Sequence, residues 1–304
     1  MPPVTTKRPL EIFLASPRGF CTGVERAIKI VEEELKAGAP PYVLHEIVHN
    51  EYIVNGLKSR GVVFVKDIAE VPDGATLVFS AHGVSKKIEQ DAKSKVLRTI
   101  DATCPLVKKV HVEAQRYFEE GRQVLIIGHK GHSEVEGTAG RIPNSIIVSS
   151  KTEATDLKLV DEENVAFVTQ TTLDIDETAK IVFVLRKIFP KIIGPDLNDI
   201  CYATKSRQEA VKDLVKKVEI LFVIGSKNSS NSNRLREIGS LSGLPSYLIN
   251  GAKDLDLSLI GSSKKLGLTA GASAPEVLVQ EVIGFLSKHF DVITPSSVGA
   301  DGGN

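Results

Sequence analysis

Along most of the chain, short apolar runs rich in β-branched residues alternate with stretches in which apolar positions recur every three or four residues. Runs such as YVLHEIV (42–48), QVLIIGH (123–129) and ILFVIGS (220–226) are bounded by polar loops and read as strands. Stretches such as TGVERAIKIVEEELKAG, PLVKKVHVEAQRYFEEG and YATKSRQEAVKDLVKKV read as amphipathic helices. The alternation predicts β-α units with mainly parallel sheets, an α/β fold.

The pattern also repeats. Each of those three helices follows directly on a cysteine, Cys21, Cys104 or Cys201, and each cysteine is preceded by an extended or loop segment: EIFLASPRGF, VLRTIDAT or KIIGPDLNDI. Pro105 suits the first turn of the second helix. A strand and a polar loop come next, and 28 residues after the three cysteines stand His49, His132 and Ser229. A second strand in each unit then runs into another small polar loop: TLVFSAHG (76–83), VAFVTQTT (165–172) and KLGLTAGAS (265–273). The expected organisation is three similar lobes around a pseudo-threefold axis: 22–104, 105–198, and 199–288 with 9–21. The ends, 1–8 and 295–304, are expected to be flexible. Strands present such loops at their C-terminal ends, where open α/β sheets bind ligands.

Charge narrows the partner. Lys plus Arg (38) balances Asp plus Glu (38), so no basic surface points to nucleic acid and a small molecule is the better expectation. The apolar runs fall far short of the roughly 18–20 residues of a membrane span. The opening MPPVTTKRPL lacks the apolar core of a signal peptide, so a cytoplasmic location is expected. Three cysteines do not make a disulfide framework and leave metal binding, catalysis or burial.

A single cysteine would ordinarily be buried as a small hydrophobe. Three at matched helix starts read differently, because a helix N-terminus favours the thiolate. Together they would suit a soft metal, zinc or an iron–sulfur cluster. A structural zinc usually takes four protein ligands and no fourth cysteine exists, whereas a [4Fe–4S] cluster on three thiolates keeps one iron open. HEIVH (45–49) matches the zinc-protease pattern H-E-x-x-H, which needs both histidines on one helix face. The register instead puts it on a strand and its exit, which leaves His45 structural.

GSKNSSNSNR (225–234), just before the helix pattern RLREIGSL, is either an anion cradle or a well-capped surface turn. It is no phosphate-binding P-loop, and G-x-G-x-x-G is absent from the chain. His49, His82 and His132 add donors that can be cationic near an anion. Glu134, in the loop with His132, is a candidate proton donor, although a loop carboxylate is ordinarily hydrated. In the second lobe's inner loop, Thr169–Thr172, a hydroxyl could orient a substrate OH.

PRGFCTGVERAI, HEIVHN, SAHGVS, DATCPLVKKVH, GHSEVEGT, TQTTLD, DICYATKSRQEAV, GSKNSSNSNRL and TAGASAPE resemble, in order, the signature blocks of the 4-hydroxy-3-methylbut-2-enyl diphosphate reductase (LytB) family, from about residue 12 to 288. Ser133 stands where the family frequently has proline. The resemblance implies a trefoil of three α/β lobes around one [4Fe–4S] cluster held by Cys21, Cys104 and Cys201, with one open iron. It implies that His49, His82, His132, Ser229, Ser230, Asn231 and Ser273 hold a diphosphate, with Glu134 as proton source and Thr171 beside the substrate hydroxyl. The reaction it implies removes the allylic hydroxyl with two electrons and two protons, giving isopentenyl and dimethylallyl diphosphates. Since no residue is itself the reductant, ferredoxin or flavodoxin is the expected electron donor. A non-catalytic iron–sulfur redox sensor and a zinc hydrolase using HEIVH are the alternatives.

Overall fold

The computed structural model describes residues 7–38, 40–195, 197–293 and 297–298 of the 304-residue chain. Its first elements are β1 (Pro9–Leu14), α1 (Thr22–Lys36), β2 (Tyr42–Leu44), α2 (Glu51–Lys58), β3 (Val63–Val65), β4 (Thr76–Phe79), α3 (Lys86–Ser94) and β5 (Arg98–Asp101). Then come α4 (Pro105–Glu119), β6 (Gln123–Ile127), α5 (Ser133–Ala139), β7 (Ile146–Val148), α6 (Lys151–Asp156), β8 (Val165–Thr169) and α7 (Ile175–Ile188). The last are α8 (Tyr202–Leu214), β9 (Ile220–Ile224), α9 (Ser230–Leu241), β10 (Ser246–Ile249), β11 (Lys265–Ala270), α10 (Glu276–His289) and β12 (Asp291–Ile293).

The described strands form three sheets in the orders β3-β2-β4-β5, β7-β6-β8 and β10-β9-β11-β1-β12. Every described ladder is parallel. The α/β expectation is therefore met. Strands β8 and β9 are buried at every residue, because parallel sheets are covered on both faces by their crossover helices. Helix α4 shows how the covering works: Val107, Val110, His111, Ala114 and Tyr117 are buried on one stripe, and Pro105 begins the helix where a missing N–H costs nothing.

The chain divides into two compact units. One comprises the described parts of Met1–Cys21 and Tyr202–Asn304 with the strap His49–Tyr52, and its five-stranded sheet packs Leu10, Ile12, Phe222, Leu268 and Val282 in one core. The other, Thr22–Val48 and Ile53–Cys201, contains the four-stranded and three-stranded sheets.

Several boundaries differ from expectation. The strand expected over 42–48 stops at Leu44, because His45 takes a left-handed backbone (φ 58°) and turns the chain. HEIVH is thus neither helix nor full strand. Helix α8 ends at Leu214, and α9 starts at Ser230, four residues before RLREIGSL. Of the ends expected to be flexible, residues 1–6, 295–296 and 299–304 lie outside the described residues. Lys7 and Arg8 are tied by hydrogen bonds to the carbonyls of Ser287, Ser263 and Gly261. Val298 is buried and pairs with the chain at Leu14 and Ser16 (2.7 Å each).

Candidate functional site

Each cysteine stands at a helix start, as its sequence setting predicts: Cys21 precedes α1, Cys104 caps α4 and Cys201 precedes α8. None is in a disulfide and all are partly exposed. Their backbones are held alike. Cys21 N–H donates to Ala272 O (3.1 Å), Cys104 N–H to Ala81 O (2.9 Å) and Cys201 N–H to Thr171 O (3.0 Å). In each case the acceptor lies in the loop leaving a strand, β11, β4 or β8. The same bond therefore recurs in all three repeats, setting each side chain at a helix N-terminus.

Among the described residues no group of three or more His, Cys, Asp or Glu side chains is placed to hold a single metal ion. His45 lies on a left-handed turn and HEIVH presents no helix face, so the two-histidine face that the zinc-protease pattern needs is not formed. Part-exposed thiols at helix starts are the type of donor that an iron–sulfur group takes.

In the first unit, Ser229 caps α9: its Oγ accepts from Ser232 N–H (3.3 Å) and from Ser232 Oγ (3.0 Å). Ser232 fits only because Gly225 and Gly271 flank it, since a Cβ on either would lie about 2 Å from its Oγ (2.1 and 2.0 Å). Ser230 and Asn231, expected in a loop, are the first two residues of the helix. Asn231 Oδ1 accepts from Ala272 N–H (2.8 Å), while its Nδ2 is buried without a hydrogen-bond partner. Ser273 Oγ donates to His49 O (2.8 Å), and Glu51 N–H donates to Ser226 Oγ (3.0 Å). His49, Ser229, Ser230, Asn231 and Ser273 thus belong to one neighbourhood around a helix N-terminus, with an amide donor to spare. That suits an anion.

In the second unit, His132 caps α5, its Nδ1 accepting from Glu134 N–H (3.2 Å), so a neutral His132 carries its proton on Nε2. The His82 ring stands edge-on to it, 5.9 Å between centroids, and Ser80 Oγ lies 3.2 Å from His82 Nδ1. Ser133 is the first residue of α5, a position that would also accept proline.

Glu134 is not a hydrated loop carboxylate. It is the second residue of α5, buried, and its carboxylate accepts from Thr171 N–H (2.6 Å) and Thr171 Oγ1 (3.0 Å). Burial pushes its pKa up to about 7, against the two Thr171 hydrogen bonds and with help from the negative charge of Asp199. A carboxyl that titrates near neutrality and is held in place by two donors is equipped for general acid work. Asp199 itself escaped the sequence reading. Its carboxylate accepts from Thr169 N–H (3.2 Å), and burial raises its pKa to about 6.

Parallel α/β sheets, thiols at matched helix starts, a donor-lined helix end and a buried acid near neutrality are elements that a redox enzyme of anionic small molecules would use. The chain belongs to the family described as LytB protein, whose model matches residues 12–287. It is 54% identical over 275 residues, 90% of this chain and 88% of the other, to a 4-hydroxy-3-methylbut-2-enyl diphosphate reductase of Azoarcus sp. (strain BH72). It is 53% identical over 280 residues to the protein of that name from Proteus mirabilis (strain HI4320), with the same coverages. Among solved structures it resembles the E-1-hydroxy-2-methyl-but-2-enyl-4-diphosphate reductase of Plasmodium falciparum, with a TM-score of 0.90 and 38% identity, covering 98% of this chain and 94% of that one. A second, described as the terminal enzyme of the non-mevalonate pathway, matches with a TM-score of 0.64 and 35% identity, covering 92% and 99%.

Proposed function

We propose that this chain reductively dehydroxylates (E)-4-hydroxy-3-methylbut-2-enyl diphosphate to isopentenyl and dimethylallyl diphosphates, the last step of the methylerythritol phosphate route to isoprenoids. Family membership supports the reaction. The observation that carries its chemistry is the buried Glu134–Thr171 pair, an acid poised near pH 7 in a family whose relatives are named reductases. A non-catalytic redox sensor would need neither this acid nor the donor-lined start of α9.

Cys21, Cys104 and Cys201 would hold one [4Fe–4S] cluster, one iron keeping no protein ligand. When bound, the cluster supplies the electrons and an iron Lewis acid for the allylic hydroxyl. The chain's own residues do the rest. His49, His82, His132, Ser229, Ser230, Asn231 and Ser273 bind the diphosphate, which fixes the carbon chain and provides the positional advantage of a bound reactant. Glu134 holds a proton at its carboxyl oxygen for the departing hydroxyl, which leaves as water, and Thr171 Oγ1 orients both. Two electrons and two protons balance the reaction, so an external carrier of the ferredoxin or flavodoxin type must deliver the electrons.

We read each sheet with its helices as one lobe, 22–104, 105–198 and 199–288 with 9–21, and place the reaction in the cytoplasm. Among the described residues no helix is long and apolar enough to cross a membrane. Anaerobic purification tests the proposal. Expected are about four irons per chain, as for a [4Fe–4S] cluster, and turnover of the allylic diphosphate with a reduced carrier. A protein without iron–sulfur absorption, or one fully loaded yet inert, would overturn it.

A further inference from the structure

On each of the three helices that begin at a cysteine, a cation five or six residues past that cysteine reaches the chain just ahead of the next cysteine. On α1, Arg26 Nη1 donates to Thr103 O (3.1 Å), the carbonyl of the peptide that enters Cys104. On α4, Lys109 Nζ lies 3.5 Å from Asp199 Oδ1, two residues before Cys201. On α8, the buried Arg207 donates to Gly19 O (2.6 Å from Nη2, 3.1 Å from Nε) and to Phe20 O (2.9 Å), and it also holds Ala203 O of its own helix (2.8 Å). The order is cyclic: the helix of Cys21 serves Cys104, that of Cys104 serves Cys201, and that of Cys201 serves Cys21.

The Arg207 contact is the tightest. The peptide between Phe20 and Cys21 is gripped at both ends, its carbonyl by Arg207 and its N–H by Ala272 O (3.1 Å). Gly19, one residue earlier, is at φ 68°, where a Cβ would come 3.3 Å from Ala274 O. The direction in which Cys21 projects its thiol is therefore set by Arg207 and Gly19 together. The guanidinium also brings a positive charge to the backbone that carries that thiol.

We propose that Arg26, Lys109 and Arg207 are positioning residues for the three thiols. Each holds the approach to the next cysteine, and Arg26 and Arg207 each add positive charge at the backbone they grip. This rests on the cluster reading above. Groups that orient metal ligands typically change metal affinity by about 10–100-fold when removed, and net charge near a cluster sets its potential.

The test uses anaerobically reconstituted protein and two readouts other than activity: the rate of iron loss to a chelator, and the midpoint potential by redox titration. Arg207→Met should lose iron roughly 10–100-fold faster and titrate at a more negative potential. Arg207→Lys, which keeps the charge without the fork, should restore the potential but not the retention. Arg26→Met, at an exposed position, should shift both readouts the same way by less, and it decides the matter should Arg207→Met fail to fold. Folded variants with wild-type retention and potential overturn the inference. Wild-type protein that takes up no iron overturns the cluster reading and this inference with it; a full wild-type cluster beside insensitive variants overturns this inference alone.

Discussion

Thirty residues after Cys104 and after Cys201 stand Glu134 and Asn231. Each is the second residue of its helix, α5 or α9, and each is buried. The side-chain oxygen of each accepts a backbone N–H from its lobe's inner loop, Thr171 at 2.6 Å for Glu134 and Ala272 at 2.8 Å for Asn231. Those two loop residues are matched as well, since their carbonyls receive the N–H groups of Cys201 and Cys21. One frame thus serves two chemistries. With a carboxyl in it, burial moves the pKa to about 7 and the position can hold or release a proton. With an amide in it, the position cannot titrate and offers a buried donor, Nδ2, that no protein group uses. In the remaining lobe the same register falls on Glu51, whose side chain is exposed and whose N–H donates to Ser226 Oγ. The lesson is that the backbone geometry is shared while the end group of the side chain, carboxyl or amide, decides what the position can offer.

Removing the acid while keeping the frame gives the largest expected effect. Glu134→Gln retains the acceptor for Thr171 N–H but not the proton, so turnover should fall by roughly 10²–10⁴, with cluster content and substrate affinity retained. Wild-type activity should decline as pH rises through about 7, because the acid form is the working form. Stability carries a second signature. The folded pKa of Glu134 lies above its unfolded value of 4.5, so the folded protein binds more protons between those values and loses stability as pH rises from 4.5 to about 7. Glu134→Gln should flatten that dependence and raise stability above pH 7 by about 3 kcal/mol, measured by urea denaturation. Near-normal turnover, or a wild-type pH dependence of stability in the variant, would erase the contrast with Asn231.

The converse substitution sharpens it. Asn231→Asp keeps the acceptor for Ala272 N–H and replaces the Nδ2 donor with an oxygen. Affinity for substrate and product should drop by about 1.5–3 kcal/mol, the worth of a hydrogen bond to a charged group, with added repulsion above the new carboxyl's pKa. Calorimetric titration of the diphosphate product checks it, and unchanged affinity would mean that the amide does not face the anion.

Much of this was readable from residue order, and the exceptions have physical causes. The cysteines at helix starts and the inner loops follow from period and register, because each apolar run is long enough to be a strand and each cysteine is followed by clear helical spacing. In the sequence α5 reads as a loop because Gly137 and Gly140 weaken its pattern; at Gly137 a Cβ would come within 3.1 Å of Gly83 O. The early start of α9 was hidden by serines and asparagines, poor formers that the Ser229 cap and the close packing of Ser232 outweigh. Burial of Glu134 and the reach of Arg207 to Gly19 depend on segments 37 and 188 residues away, which no local pattern encodes.

The smallest expected effect comes from the one chemical difference between the matched loop residues. Thr171 has a hydroxyl, which donates to Glu134 at 3.0 Å, where Ala272 has none. Thr171→Val removes that donor but keeps the shape, the N–H bond to Glu134 and the carbonyl that receives Cys201 N–H. The hydroxyl stabilises the carboxylate more than the acid, so its loss should raise the pKa of Glu134 and move the falling limb of the pH–activity profile upward. The stability cost should be on the order of 1 kcal/mol at pH 8.5, where Glu134 is mostly ionised, and smaller at pH 5.5, where it is mostly protonated and needs the donor less. If the limb stayed in place or moved down, the hydroxyl would not be supporting the carboxylate. The difference between the two loops would then lie in what Thr171 offers the substrate.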